Sequence, residues 1–133
     1  MTVTIHLAIS RDVLLTSNQR IHYQAKARHT KSIRELAYLW CRGYRLPKMQ
    51  KARCDIEVTW PDRRERDVLN LEPTFKACFD GIIGDARNPL SYNLLPSDSD
   101  KHLTIGSILP AERRVRTPGI ACYLTFRFTE VSP

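Results

Sequence analysis

Acidic residues are scarce where this chain begins. Residues 1–54 hold Asp12 and Glu35 against 11 lysines and arginines, a local balance of +9. From residue 55 onward 12 acids face 10 bases, giving −2, so the net charge of +7 belongs to a positive first part joined to a carboxylate-bearing second part. A chain charged in this way favours a polyanionic partner, because lysine and arginine displace condensed counterions from nucleic acid. Long apolar runs are missing too: none approaches the ~18 residues of a membrane-spanning helix. The opening MTVTIHLAIS alternates as a strand does and lacks the charged start of a signal peptide, so a cytoplasmic protein without a membrane partner is expected. Cys41, Cys54, Cys78 and Cys122 stand far apart with no C-x-x-C spacing, which argues against zinc or a disulfide framework and for reduced core thiols. No serine or cysteine sits in a recognisable partner arrangement, which leaves nucleophilic chemistry without support.

What is present is a globular pattern. With 133 residues, 42% of them apolar, and eight prolines, the chain makes one loop-rich domain (1–133) around a single modest core. Val3, Ile5, Leu7 and Ile9 alternate with polar neighbours and predict a half-buried first strand, with His6 on its solvent side. The stretch TSNQRIHYQAKARHTK has neither helical nor strand period; it interleaves Arg20, Lys26, Arg28 and Lys31 with His22, Tyr23 and His29. It reads as a DNA-facing loop or as an ordinary solvated one. From Ser32 the pattern changes: Ile33, Leu36, Ala37, Trp40, Cys41 and Tyr44 form one apolar stripe on a helix, with Ser32-Ile33-Arg34-Glu35 as a capping box and Pro47 beyond its end. Cys54, Ile56, Val58 and Trp60 predict a second strand that stops at Pro61. A second helix starts near Pro73 and carries Phe75, Cys78, Phe79, Ile82 and Ile83 on one face before Gly84. Residues 85–102 form a connection of a length that is commonly functional or disordered. A third strand follows through Leu103, Ile105 and Leu109, interrupted at Gly106; then come a basic turn over 111–119 and an alternating strand from Ile120 to Phe128. The expected fold class is α/β (α+β): a mixed sheet with two main helices, in the order β-α-β-α-β-β.

The chemistry concentrates in residues 60–84, WPDRRERDVLNLEPTFKACFDGIIG. A basic run, Arg63, Arg64 and Arg66, precedes Asp67, and the helix that follows carries Lys76 and Asp80 four apart on the flank of its apolar face. With Asp67, Asn70, Leu71, Lys76, Ala77 and Asp80 in register, the segment resembles the core motif of the RusA family of Holliday-junction resolvases, which runs basic residues, Asp-x-Asp-Asn-Leu, then lysine with Ala-x-x-Asp on a helix. Leu69 stands where that family usually has its second aspartate, and Pro73-Thr74 forms a short insertion before Lys76. Downstream, LLPSDSD (94–100) resembles the family's acidic motif, with Ser97 in place of the first of two adjacent aspartates.

The resemblance implies a structure-selective endodeoxyribonuclease that resolves four-way DNA junctions by paired, metal-dependent hydrolysis, in recombination, repair or phage DNA processing within a bacterial or phage-infected cell. Mg²⁺, or Mn²⁺ in its place, would lower the pKa of bound water and neutralise developing charge. The implied ligands are Asp67 and Asp98, with Asp80 and Asp100 as further candidates, and Lys76 would set its ammonium near the scissile phosphate. Taken alone, the spacing of Lys76 and Asp80 also suits an exposed helix lysine beside a structural partner. Arg63, Arg64 and Arg66 would grip phosphates, Arg20, Lys26, Arg28 and Lys31 would contact the DNA arms, and Asn70 would brace the turn or cap the helix at that surface. A homodimer is implied as well, since two symmetric nicks in a two-fold junction call for two equivalent sites. In an extended segment positions 67 and 69 point the same way, so Leu69 removes an oxygen ligand. Either the enzyme recruits Asp98, Asp100 or Asp80 instead, or the chain binds junctions without turnover. A basic RNA-binding domain accounts for the charge but not for the clustered motif.

Overall fold

Strict alternation in β1 (Thr2–Ser10) and β4 (Ile120–Glu130) turns every second side chain to one face, and antiparallel pairing lays those faces together. Val3 lies opposite Phe128, Ile5 opposite Phe126, Leu7 opposite Leu124 and Ile9 opposite Cys122. On the other edge of β4, β2 (Ala52–Thr59) extends three of these rows with Cys54, Ile56 and Val58, again antiparallel. β3 (Leu103–Pro110) pairs with β2 in parallel, so the sheet is mixed, with the order β1-β4-β2-β3. Cross-strand apolar rows of this kind fix the register, because a one-residue slip would turn each of them to solvent. The computed structural model describes residues 1–84 and 87–132.

Two helices, α1 (Tyr23–Tyr44) and α2 (Glu72–Ile82), cover the apolar face. Phe79 meets Phe126 and Phe128 edge-on at ring distances of 5.5 and 6.4 Å, and Phe75 meets Phe126 at 6.5 Å. The helices cross closely at Gly81, where a Cβ would lie 2.3 Å from the Arg34 carbonyl oxygen. All four cysteines are buried and unpaired, as their spacing predicts. The class and element order match the sequence reading, with a 3₁₀ turn over Val68–Leu71 added ahead of α2.

α1 departs from expectation in three ways. It starts at Tyr23, so Lys26, Arg28 and Lys31 stand on a helix rather than in a loop. Its first turns are polar on all sides and leave no period to read, but Ala25, Lys26, Ala27 and Arg28 are strong helix formers. The capping box at Ser32 and Glu35 falls inside the helix; the N-cap is His22, whose ring nitrogen accepts the Gln24 amide at 3.2 Å. The apolar stripe is also narrower than predicted. Ile33, Ala37 and Cys41 are buried, while Leu36 and Tyr44 are exposed.

β3 is not interrupted at Gly106 as expected: it runs unbroken over Leu103–Pro110, and what changes beside Gly106 is its pairing with β2. The β2–β3 register shifts between Cys54 and Ile56, and there the Asp55 carboxylate accepts the Ser107 amide at 2.8 Å and its hydroxyl at 3.1 Å. A Cβ at Gly106 would lie 2.2 Å from that carboxylate and 2.3 Å from the Arg53 guanidinium, so the glycine leaves room for these two side chains to cross the bulge. The expected connection over 85–102 falls in part on Asp85 and Ala86, outside the described residues; over 87–102 the chain has only turns and bends.

The segment between β1 and α1 is tied down by Thr74, a fully buried polar residue. Its hydroxyl accepts the Leu15 amide at 3.0 Å and donates to the Leu15 carbonyl at 2.7 Å. Valine has the same shape and can do neither, so Thr74→Val is expected to lower unfolding free energy by about 1–3 kcal/mol, measured by chemical denaturation.

Candidate active site

β2 delivers the chain past Trp60 into an arginine-rich loop and then into the 3₁₀ turn. Asp67 caps that turn: its carboxylate accepts the Leu69 amide at 2.9 Å, and its carbonyl accepts the Asn70 amide at 3.0 Å. Asn70 braces the segment from the other side, its carbonyl accepting the Ser17 amide at 2.8 Å and its side chain meeting Asn18 at 3.5 Å. α2 follows at once, with proline in its first turn. Its apolar face enters the core, and on the flank Glu72, Lys76 and Asp80 recur every four residues, one above another.

That flank borders a cleft of about 460 Å³ between α2 and the β2–β3 part of the sheet. Asp98 enters it from the connection to β3, and Leu69 stands at its edge. Phe75, Phe79, Ile56 and Ile108 make the floor apolar. Lys76, Asp80 and Asp98, separated by up to 22 residues in sequence, thus line one space. Asp67 and Asp100 do not line it; both are exposed. Leu69 is 62% exposed, so it covers the rim instead of filling the core. Glu72 is the site residue that the motif did not single out, although its four-residue step to Lys76 is legible in the sequence.

Burial pushes the Asp80 carboxyl above the ordinary aspartate range; the Lys76 ammonium pulls it down, the Asp98 carboxylate pushes it up, and Arg34 pulls it down. Since folding raises this pKa, Asp80 favours the folded state below the ordinary carboxylate range, and that contribution is lost as pH rises through the raised value. Carboxyl NMR should therefore find the Asp80 pKa lower in Asp98→Asn and higher in Lys76→Ala. An Asp80 titration that ignores both changes would separate these three groups.

The predicted cationic contacts divide into free and engaged. Arg63 and Arg64 are exposed, as are Arg20, Lys26 and Arg28. Lys31 is exposed beside Glu35 at 3.9 Å, a pair worth little in solvent. Arg66 is held within the protein, 2.7 Å from the Asp62 carboxylate and 4.8 Å over the Trp60 ring, with its side chain 17% exposed.

Among the described residues no three histidine, cysteine or acidic side chains form a cage for a metal ion. Mg²⁺ does not require one, as it keeps several waters and is commonly held through one or two carboxylates. Asp80 and Asp98 suit it on that basis: the Asp98 carboxylate adds to the upward shift of Asp80 at the edge of an apolar cleft, a repulsion that a hard cation relieves. No protein-family model matches the chain, and a search of curated proteins finds no match to it. Among the described residues no helix is long and apolar enough to cross a membrane.

Proposed function

We propose that this chain is a RusA-like, metal-dependent endonuclease acting on branched DNA. The support is the meeting of Lys76 and Asp80 on α2 with Asp98 from a separate segment in one cleft. Asp98 and Asp80 would hold Mg²⁺, which when bound supplies an activated water and neutralises charge on the phosphodiester. Lys76 lines the same space, where its ammonium would stabilise the negative charge that grows on the phosphoryl oxygens. The apolar floor lowers the local dielectric most at Asp80, the half-buried member of the three, while Lys76 and Asp98 stay open to solvent. Asp67 acts one step back, by capping the turn that sets the α2 flank in place. The test is cutting of a four-way junction with Mg²⁺ and with Mn²⁺, beside a linear duplex of the same sequence. Symmetric nicks in the junction alone support the reading, and junction binding without nicks under either metal replaces it with a non-catalytic junction binder. Leu69 at the rim is the observation that favours that second reading.

A homodimer belongs to this proposal. On the outer side of α1, Leu36, Leu39, Gly43 and Tyr44 follow helical spacing, Leu39 being 57% and Tyr44 68% exposed, and a Cβ on Gly43 would touch nothing. Two copies of this stripe packed antiparallel bring Glu35 of one beside Arg42 and Arg45 of the other, a self-complementary arrangement of the kind a two-fold interface requires. Leu39→Glu is expected to convert the dimer into a monomer in sedimentation velocity while leaving the circular dichroism spectrum unchanged; a dimer that survives would put the interface elsewhere.

A further inference from the structure

The basic turn over 111–119 has no part in the cleft, yet the fold gives it a definite place. β2 and β3 are parallel and finish at the same end of the sheet, and beyond them the Ala111 amide donates to the Val58 carbonyl at 2.8 Å and the Val115 amide to the Trp60 carbonyl at 3.1 Å. These bonds lay the turn against the loop that carries Arg63, Arg64 and Arg66. Asp62 fastens the two together. Its carboxylate accepts Arg66 at 2.7 Å and the Arg64 amide at 3.0 Å, and reaches Arg116 at 3.8 Å, while its carbonyl accepts Arg114 at 3.1 Å. The Arg66 and Arg64 contacts hold the Asp62 carboxyl well below the usual range, at about 2, so it stays charged at any physiological pH.

We infer that this two-loop arginine ridge is a second DNA surface, separate from the cleft, which takes the sugar–phosphate backbone of duplex DNA without reading its sequence. Arg66 and Arg114 point their guanidinium groups at protein acceptors and brace the ridge. Arg63, Arg64 and Arg113 are exposed, and Arg116, although it reaches Asp62 at 3.8 Å, keeps a side chain 70% exposed, so all four can meet phosphates. Within 61–66 and 111–116 six arginines outnumber Asp62, Glu65 and Glu112, a local balance of +3. The ridge continues onto the neighbouring face of the sheet, where Arg113 and Arg127 line one groove of about 440 Å³ beside Glu57. Guanidinium groups raised on a fixed frame suit phosphate oxygens, which accept paired donors. Asp62 is then a positioning residue, and its effect has a sign that charge alone would not give.

This inference rests on the DNA reading above, and the experiment separates the two. Binding to a short blunt DNA duplex is measured against salt in EDTA for the parent protein and Arg113→Ala/Arg116→Ala. The double variant should flatten the slope of log K against log salt by about 2, near 0.9 for each phosphate that is no longer neutralised, with unchanged melting. An unchanged slope overturns the ridge even if the parent protein cuts junctions; a flattened slope upholds it even if the parent cuts nothing. Asp62→Ala removes a negative charge, so electrostatics alone predicts tighter binding, whereas loss of the ridge's frame predicts binding several-fold weaker. Tighter binding by Asp62→Ala, or a stronger ridge-dependent affinity for an RNA duplex, would overturn the assignment.

Discussion

Asp98→Asn is expected to lower Mg²⁺-dependent cutting of a four-way junction by about 10²–10³-fold, the usual cost of removing one group that stabilises the charge of the reacting centre. Asp98 is exposed, so the change costs the fold little. Its effect should therefore be confined to turnover. Binding of the same junction in EDTA should hold or tighten, because the variant removes a negative charge from a surface that meets phosphates. The neighbouring acids make the prediction selective. Asp100 is two residues away and does not line the cleft, so Asp100→Asn should cut within about twofold of the parent, inside the scatter of an ordinary surface change. Asp67→Asn retains a side-chain oxygen that can accept the Leu69 amide, so its loss should be smaller than that of Asp98→Asn. If Asp67→Asn and Asp100→Asn cost as much as Asp98→Asn, the reactive centre extends beyond the cleft that α2 borders.

The sheet was legible because its code is local and strict. Alternation in β1, β2 and β4 carries straight into paired apolar rows, whereas the glycine inside the β3 pattern suggested an interruption where there is only a shift of pairing. The cause of that shift was not visible, since the carboxylate that fills the glycine's side belongs to β2, 51 positions earlier. α1 was legible only where it buries something. Its polar first turns are held by helix propensity and by His22, a cap the residue pattern does not single out. Thr74 looked like part of a short insertion, but its partner is Leu15, 59 residues away, and no spacing rule connects them. The cleft was partly readable for the same reason: Lys76 and Asp80 share a helix flank by arithmetic, whereas the approach of Asp98 depends on how the connection to β3 folds back. The likeness to a nuclease motif put Asp67, Lys76 and Asp98 first, with Asp80 as a further candidate; the cleft takes Lys76, Asp80 and Asp98 and leaves Asp67 outside. The ridge was the least legible, because it joins two basic loops through one aspartate that reads as an ordinary turn residue.

Leu69→Asp is expected to increase Mg²⁺-dependent junction cutting by about 10–100-fold, the scale on which changes around a metal site act. The backbone is already suited to the change: the Leu69 amide is held by Asp67, and the side chain stands at the rim of the cleft, where an aspartate can keep its water until a cation replaces it. Leucine at 62% exposure contributes little burial to lose. The gain should come with a cost that serves as a second readout. A further carboxylate beside Asp80 and Asp98 adds like-charge repulsion, so without metal the variant should melt below the parent and its Asp80 pKa should rise. Mg²⁺ should then raise the variant's melting temperature more than the parent's, because an ion that binds only the folded state stabilises it in proportion to its affinity. A variant that gains Mg²⁺ stabilisation without faster cutting would make position 69 a determinant of ion binding alone and move the rate-limiting deficit to Lys76 or to DNA positioning. A variant that gains neither would mean that its new carboxylate and the Asp80–Asp98 pair do not share an ion, and Leu69 would then belong to the apolar wall of a cleft built to hold something other than a hydrated cation.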